Sequence, residues 1–291
     1  MRKRKHRDGP HAGSLAVTIF GDLIAPRGGI VPYSTLAAIA APLGINDSQL
    51  RTALSRLVAE GWLAARREGK RAFYALAPEG AARTEEAARR IYAPPDSARA
   101  GAWRVALFAR PRPVERRTFE WLGFAAAGPS VMIHPDADEA ALASALASLA
   151  PARRPLIVAG SAGSDEAARA TIERLWDLKA LGRAWTEFAK ILPALARHEG
   201  EASRALTARL RLIHEFRRVA LRDPGLPAAL LPRDWPGTQA RRAVAALYAR
   251  LLPASEAWLD AHGMPRAGKE LGARFGSGDM SQKPLRNRRK L

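Results

Sequence analysis

The chain has no cysteine. It can therefore form no disulfide, no thiolate zinc site and no cysteine nucleophile, and it suits a reducing compartment. It also lacks any run of about 18 apolar residues, so no transmembrane helix is expected. The opening "MRKRKHRDGPHAGSLAVTIFGDLIAPRGG" has the basic start of a secretory signal, but its apolar run is broken by Gly21 and Asp22 and no small-residue cleavage site follows. The expectation is a soluble, cytoplasmic protein. Catalytic signatures are missing too. The six histidines are scattered, and there is no H-E-x-x-H, no G-x-S-x-G elbow and no dinucleotide fingerprint. "RHEGE" around His198 reads as a helix end rather than a metal site. No catalytic residue, metal or cofactor is expected.

What the chain does have is positive charge. Its 291 residues, enough for two or three domains, carry a formal net charge of +19. Such an excess favours a polyanionic partner, because Lys and Arg set against phosphates release counterions and steer association. Nucleic acid is the first candidate and an anionic membrane surface the second. The charge is uneven. Residues 1–98 hold 15 Lys and Arg against 9 Asp and Glu, residues 99–176 hold 10 against 8, and residues 177–291 hold 22 against 11. Part of the excess sits in aperiodic tails, "MRKRKHR" and "KPLRNRRKL". Paired prolines in "YAPPDSARAG" mark a linker. No internal repeat is visible. The expected division is a basic tail (1–13), three domains (14–98, 99–176 and 177–270) and a second basic tail (271–291).

In the first domain "SLAVTIFGDLIA" spaces Leu15, Ile19 and Leu23 as a helix, with Ser14 as N-cap. After "PRGGI", "YSTLAAIAAPLG" gives a second helix capped by Ser34, with Leu36, Ile39, Ala40 and Leu43 on one face. Asn46 or Asp47 then caps a third, "SQLRTALSRLVAE", closed by Gly61. Three helices in this order form a helix-turn-helix. In the third, Leu50, Ala53, Leu54, Leu57 and Val58 fall on the face to be buried, so Ser48, Gln49, Arg51, Thr52, Ser55 and Arg56 point outward together. These types suit a major groove: Arg pairs with guanine, Gln with adenine, and Ser or Thr with a phosphate or base edge. "WLAARREGKRAFYAL" reads as a β-hairpin with Arg66, Arg67, Lys70 and Arg71 crowded at its turn, as a wing lying along phosphate would have.

The middle domain reads strand, helix, strand, strand, helix, strand, the order of a ferredoxin-like βαββαβ fold. The expected strands lie in "AWRVALFA", "FAAAG", "SVMIHP" and "RPLIVAG". The loop "GSAGS" from Gly160 to Ser164 could cradle a phosphate, but Asp165 and Glu166 already occupy the next helical turn, so an N-cap loop is the better reading. The last domain reads as all-helical, making the fold class α+β and multidomain. Its arginines read mostly as a solvated helix face. A second reading has Arg217 or Arg222, near Trp185, Phe188 or Trp235, gripping an anionic ligand.

Three strings, "SLAVTIFGDLIAPRGG", "LGINDSQLRTALSRLVAEGWL" and "FRRVALRDPGLPAALLPRDWPG", together resemble the PaaX-type repressors of phenylacetate degradation over roughly residues 14–262. The resemblance implies a homodimeric bacterial regulator with an N-terminal winged helix, a middle domain similar to the CRISPR-associated ferredoxin-like nuclease fold, and a helical C-terminal domain. It implies repression of catabolic promoters at double-stranded operator DNA, and release by an aryl-coenzyme A thioester, typically phenylacetyl-CoA. Two positions depart from the pattern. The nuclease relatives carry an aspartate at the end of the first strand, where this chain reads Arg110. The family tends to Tyr-x-x-Phe where this chain has Trp185 and Phe188. Two alternatives are a metal-dependent nuclease built on the middle domain and a DNA-coating protein without sequence preference.

Overall fold

The computed structural model describes residues 12–94, 102–135, 137–161, 166–198, 200–265, 271 and 274–275. The expected linker at 95–101, most of the Gly160–Ser164 loop and nearly all of both basic tails lie outside these residues. The fold is α+β, with two small antiparallel sheets.

Helix α1 (Ala12–Ile19) runs into a π-helical turn, Phe20–Ile24, and a 3-10 turn, Ala25–Arg27. Strand β1 (Ile30–Pro32) leads into α2 (Tyr33–Ala40), then α3 (Asp47–Ala59). The hairpin of β2 (Leu63–Glu68) and β3 (Arg71–Leu76) follows, then α4 (Pro78–Ile91). The middle of the chain gives β4 (Trp103–Leu107), α5 (Pro113–Trp121), β5 (Ala125–Ala126), β6 (Val131–His134), α6 (Glu139–Ala147) and β7 (Leu156–Gly160). Beyond it come α7 (Glu166–Trp176), α8 (Leu178–Ala189), α9 (Leu192–Ala196), α10 (Ala202–Ala220) and α11 (Pro236–Ala261).

Two caps differ from the sequence reading. Ser14 lies inside α1, where its carbonyl accepts from Thr18 Oγ1 at 3.2 Å. Ser34 is the second residue of α2; the cap is Pro32, which offers no side-chain acceptor. In both cases the helix begins before the serine. β1 and α4 had no sequence signal assigned to them: β1 is three residues long and depends on β3 for its hydrogen bonds.

The described residues divide into two compact units, one drawn from within 1–94, 192–215 and 244–291, the other from within 95–191 and 216–243. The stretch 177–270, expected as one helical domain, thus contributes to both. In the first unit the sheet runs β1-β3-β2. Leu15, Ile19, Leu23, Leu36, Ile39, Leu50, Leu54 and Leu63 are buried together with Leu206, Leu210 and Leu259 from the C-terminal helices. These large apolar side chains are each worth roughly 1.5–3 kcal/mol when fully withdrawn from water.

Asp22, in the π turn, is buried in that core. Its carboxylate accepts from Arg209 Nε (2.8 Å), Arg274 Nη1 (2.8 Å), Tyr92 OH (2.6 Å) and Tyr248 OH (3.0 Å). Burial pushes this carboxyl up, but the Arg209 and Arg274 guanidiniums and the Tyr92 hydrogen bond more than offset that and hold it below its ordinary value. Arg27, also buried, bonds Glu256 and Asp260. The Gly21–Asp22 break in the first apolar run is therefore an internal ionic anchor, and a π turn, which carries an extra residue, is a form of helix often found where a side chain has a special role.

In the second unit the sheet order is β5-β6-β4-β7, every neighbouring pair antiparallel. Residues alternate between its faces. Ala106 and Met132 on one face are buried with Phe108, Phe119, Phe124 and Leu142. The Phe119 ring meets both Phe108 and Phe124 edge-on at 5.1 Å.

Candidate nucleic-acid interface

Helix α3 starts at Asn46 with reciprocal bonds: Gln49 N donates to Asn46 Oδ1 (2.9 Å), and Asn46 N donates to Gln49 Oε1 (3.0 Å). This capping box satisfies two amides that a helix start leaves without partners. Leu50, Ala53, Leu54 and Leu57 are buried and Val58 is half-buried, while Ser48, Gln49, Arg51, Thr52, Ser55 and Arg56 are all exposed. The structure brings the six expected reading residues onto one solvent face.

Several of these side chains are engaged. Arg51 Nε donates to Asp47 Oδ2 (2.7 Å), Arg56 Nε to Glu60 Oε1 (2.7 Å) and Thr52 Oγ1 to Ser48 O (2.9 Å). The Asp47 and Glu60 hydrogen bonds hold the two guanidiniums more firmly protonated than usual. Gln49 spends its Oε1 on the capping box. A bidentate contact to adenine needs both Oε1 and Nε2, so Gln49 makes it only by sharing or giving up the Oε1 bond, while its Nε2 is free of the box.

The hairpin turn is Gly69–Lys70, between the paired residues Glu68 and Arg71. Gly69 has φ +59°, and a positive φ at the first of two turn residues is one that side chains resist and glycine adopts freely. On the strands Arg66, Glu68, Arg71 and Phe73 share one face; Ala65, Arg67, Ala72 and Tyr74 share the other. Arg66 pairs with Glu68 (2.8 Å) and lies over the Phe73 ring, while Arg67, Lys70 and Arg71 are exposed and make no ion pair among the described residues. Tyr74 meets Tyr33 of α2, ring centroids 6.4 Å apart, so Arg67 is on the hairpin face turned toward the start of α2.

Sequence reasoning missed Tyr33 and Asp47. In the sequence Asp47 reads only as a cap. No motif marks Tyr33, whose partner lies fourteen residues on.

The expected effector residues fall in the second unit. Trp185, Phe188 and Trp235 are buried, Arg217 is half-buried and Arg222 is exposed. Trp185 Nε1 donates to Asp223 Oδ2 (2.8 Å), and its ring packs against Phe188 and Phe216. The cation over the Trp185 ring is Arg241, 5.1 Å from the centroid and 3.5 Å from Asp223. Arg241 carries no sequence signal that sets it apart from its neighbours. Beside this packed group, a cleft of about 700 Å³ is lined by Leu178, Lys179, Gly182, Arg183, Glu187, Asp234 and Trp235, among others.

Among the described residues no group of three His, Cys, Asp or Glu side chains is placed to hold a metal, and no helix is long and apolar enough to cross a membrane. Arg110 is exposed just beyond the end of β4.

Two family models match: a PaaX-like protein model over residues 11–80 and a PaaX-like C-terminal domain model over residues 176–261. A transcriptional repressor, PaaX of Escherichia coli, is 33% identical over 94% of this chain and 92% of its own length. An uncharacterized protein of Mycobacterium tuberculosis shares the fold, with a TM-score of 0.50 and 24% identity over 84% of this chain and 99% of that one. The first match covers the three helices and the basic hairpin, and the second covers α8 to α11. Identity at this level over nearly the full length of both chains makes this protein a member of the PaaX-like family and a non-enzymatic regulator of transcription.

Proposed function

We propose that the chain is a homodimeric repressor of an aromatic-acid, phenylacetate-type catabolic operon. Its N-terminal helices and hairpin, within residues 14–98, are a winged helix-turn-helix that reads operator DNA, and its four-stranded sheet with α5 and α6 is a ferredoxin-like domain. The observation that carries the reading is the single exposed face of α3, bearing Ser48, Gln49, Arg51, Thr52, Ser55 and Arg56, beside a hairpin tipped by Arg66, Arg67, Lys70 and Arg71. A helix presented in this way enters a major groove, and a basic hairpin neutralises neighbouring phosphates. Two copies then read a two-fold symmetric site.

An aryl-CoA thioester, phenylacetyl-CoA or a relative, is the proposed effector. The cleft beside Trp235 offers Lys179 and Arg183 to its phosphates. Trp185 and Phe188 stand buried behind the cleft as packing, with Arg217 and Arg222 as further candidate cations. Binding there lowers operator affinity through a coupling free energy, typically about 1–3 kcal/mol.

Footprinting on DNA upstream of the chain's own gene, repeated with a panel of acyl-CoA thioesters, tests both parts. Sequence-specific protection abolished by one thioester is expected. Protection of all sequences alike rejects the operator reading, and protection indifferent to every thioester rejects the effector.

A further inference from the structure

Tyr33, the first residue of α2, lies half-buried against Tyr74 of β3. Its hydroxyl donates to Asp47 Oδ1, and the other oxygen of that carboxylate accepts Arg51 Nε at 2.7 Å. The guanidinium carbon of Arg51 lies 4.3 Å from the centroid of the Tyr33 ring. One arginine is thus fixed from two directions, its edge by a carboxylate and its face by a ring. The ring is itself held by the hairpin.

Asp47 is the first residue of α3, and a carboxylate there also favours the helix through its dipole. That ordinary role needs neither the Tyr33 hydroxyl nor a stacked guanidinium. The two Nη groups of Arg51 make no hydrogen bond among the described residues and remain as a parallel pair of donors. Such a fork matches guanine O6 and N7 in the major groove. A free arginine must give up its rotamers to make that contact, whereas one already held gives up less. The carboxylate beside it also repels phosphate, which disfavours contacts made without a matching base.

We propose that Tyr33 and Asp47 are positioning residues that preset the Arg51 fork to read a guanine, and so determine base specificity at one operator position. This rests on the DNA-binding reading given above. The hydrogen bonds from Tyr33 and Arg51 hold the Asp47 carboxyl below its usual range. Burial and the Asp47 hydrogen bond push the Tyr33 hydroxyl up to about 12. The array therefore keeps one charge state across the neutral range.

The test selects binding sites from a randomised double-stranded DNA pool with the full-length chain, its Arg51→Ala, Asp47→Asn, Tyr33→Ala and Tyr33→Phe variants, and an unfolding midpoint for each. The unsubstituted chain is expected to enrich a motif with a guanine preferred at one position by about 5- to 150-fold. Arg51→Ala erases that preference and leaves the other positions. Asp47→Asn and Tyr33→Ala lower it severalfold, and Asp47→Asn also tightens binding to unselected DNA. Tyr33→Phe, which keeps the ring, retains more of it than Tyr33→Ala. A residue that only stabilised the helix would weaken all sequences together and lower the midpoint in step.

An unchanged motif in Arg51→Ala overturns the proposal. A motif lost in Arg51→Ala but intact in Asp47→Asn and Tyr33→Ala overturns the positioning role. If the unsubstituted chain enriches no motif, the DNA-reading function itself fails and the proposal falls with it.

Discussion

Two aspartate–arginine pairs in the first unit have nearly the same length and opposite surroundings. Asp22 and Arg209 meet at 2.8 Å with both side chains wholly buried; Asp47 and Arg51 meet at 2.7 Å with side chains 60% and 63% exposed. Separation alone says little about what such a pair does. A buried pair has lost its water, so removing one partner strands a charge. An exposed pair is screened and contributes little to stability, but its arginine remains available to something arriving from solvent. The first pair holds the N-terminal helix to the C-terminal helices; the second belongs to the face proposed to read DNA.

The largest effect expected along this contrast is that of Asp22→Ala. It leaves Arg209 and Arg274 without their shared carboxylate, with only the Asp22 carbonyl still accepting from both, and should cost about 3–5 kcal/mol in denaturant unfolding. A loss below about 1 kcal/mol would show that water or Glu256 takes over, and the contrast would collapse. The same carboxyl sets an acid limit. Its folded pKa lies below the unfolded one, so its contribution is complete above the unfolded value, near 4, and is lost as pH falls through the folded value. Unfolding free energy measured against pH should decline on the acid side in the unsubstituted chain, and less so in Asp22→Ala.

Gly237→Ala extends the test to the buried part of the second unit. A Cβ there would sit 2.6 Å from Trp235 Nε1 and 2.8 Å from Trp185 Nε1. Overpacking of this kind typically costs about 1–3 kcal/mol. A variant as stable as its parent would mean that the two indoles yield readily, as the walls of an adaptable ligand site would. The smallest effect is that of Arg67→Ala, an exposed hairpin cation with no ion pair among the described residues. It should leave the unfolding midpoint unmoved, weaken binding to all DNA sequences alike, and reduce the slope of log affinity against log salt by about 1. A sequence-dependent loss would move Arg67 from phosphate contact to base reading.

The three N-terminal helices and the hairpin were legible because their signals are local. The Leu50, Ala53, Leu54, Leu57 spacing sets the buried face of α3, Asn46 or Asp47 its start, and Gly69 the hairpin turn; the Gln49 half of the cap emerged only in the structure. The β-α-β-β-α-β order was equally legible from short apolar runs, even with β5 reduced to Ala125–Ala126. Asp22 was legible only as an interruption, since its partners Arg209 and Arg274 are 187 and 252 residues away. The same holds for the aromatic group. Trp185 and Phe188 were visible as large side chains, but Asp223 and Arg241 look like any other charges until the chain brings them to the Trp185 ring.

By itself, then, the sequence determined the period of each helix, the turn chemistry and the sign of the charge, because these depend on neighbours within about one helical turn. Which of its many arginines became internal anchors and which stayed at the surface was decided only by the tertiary structure. Burying a guanidinium requires a carboxylate already waiting there, and that carboxylate is supplied from a distant part of the chain.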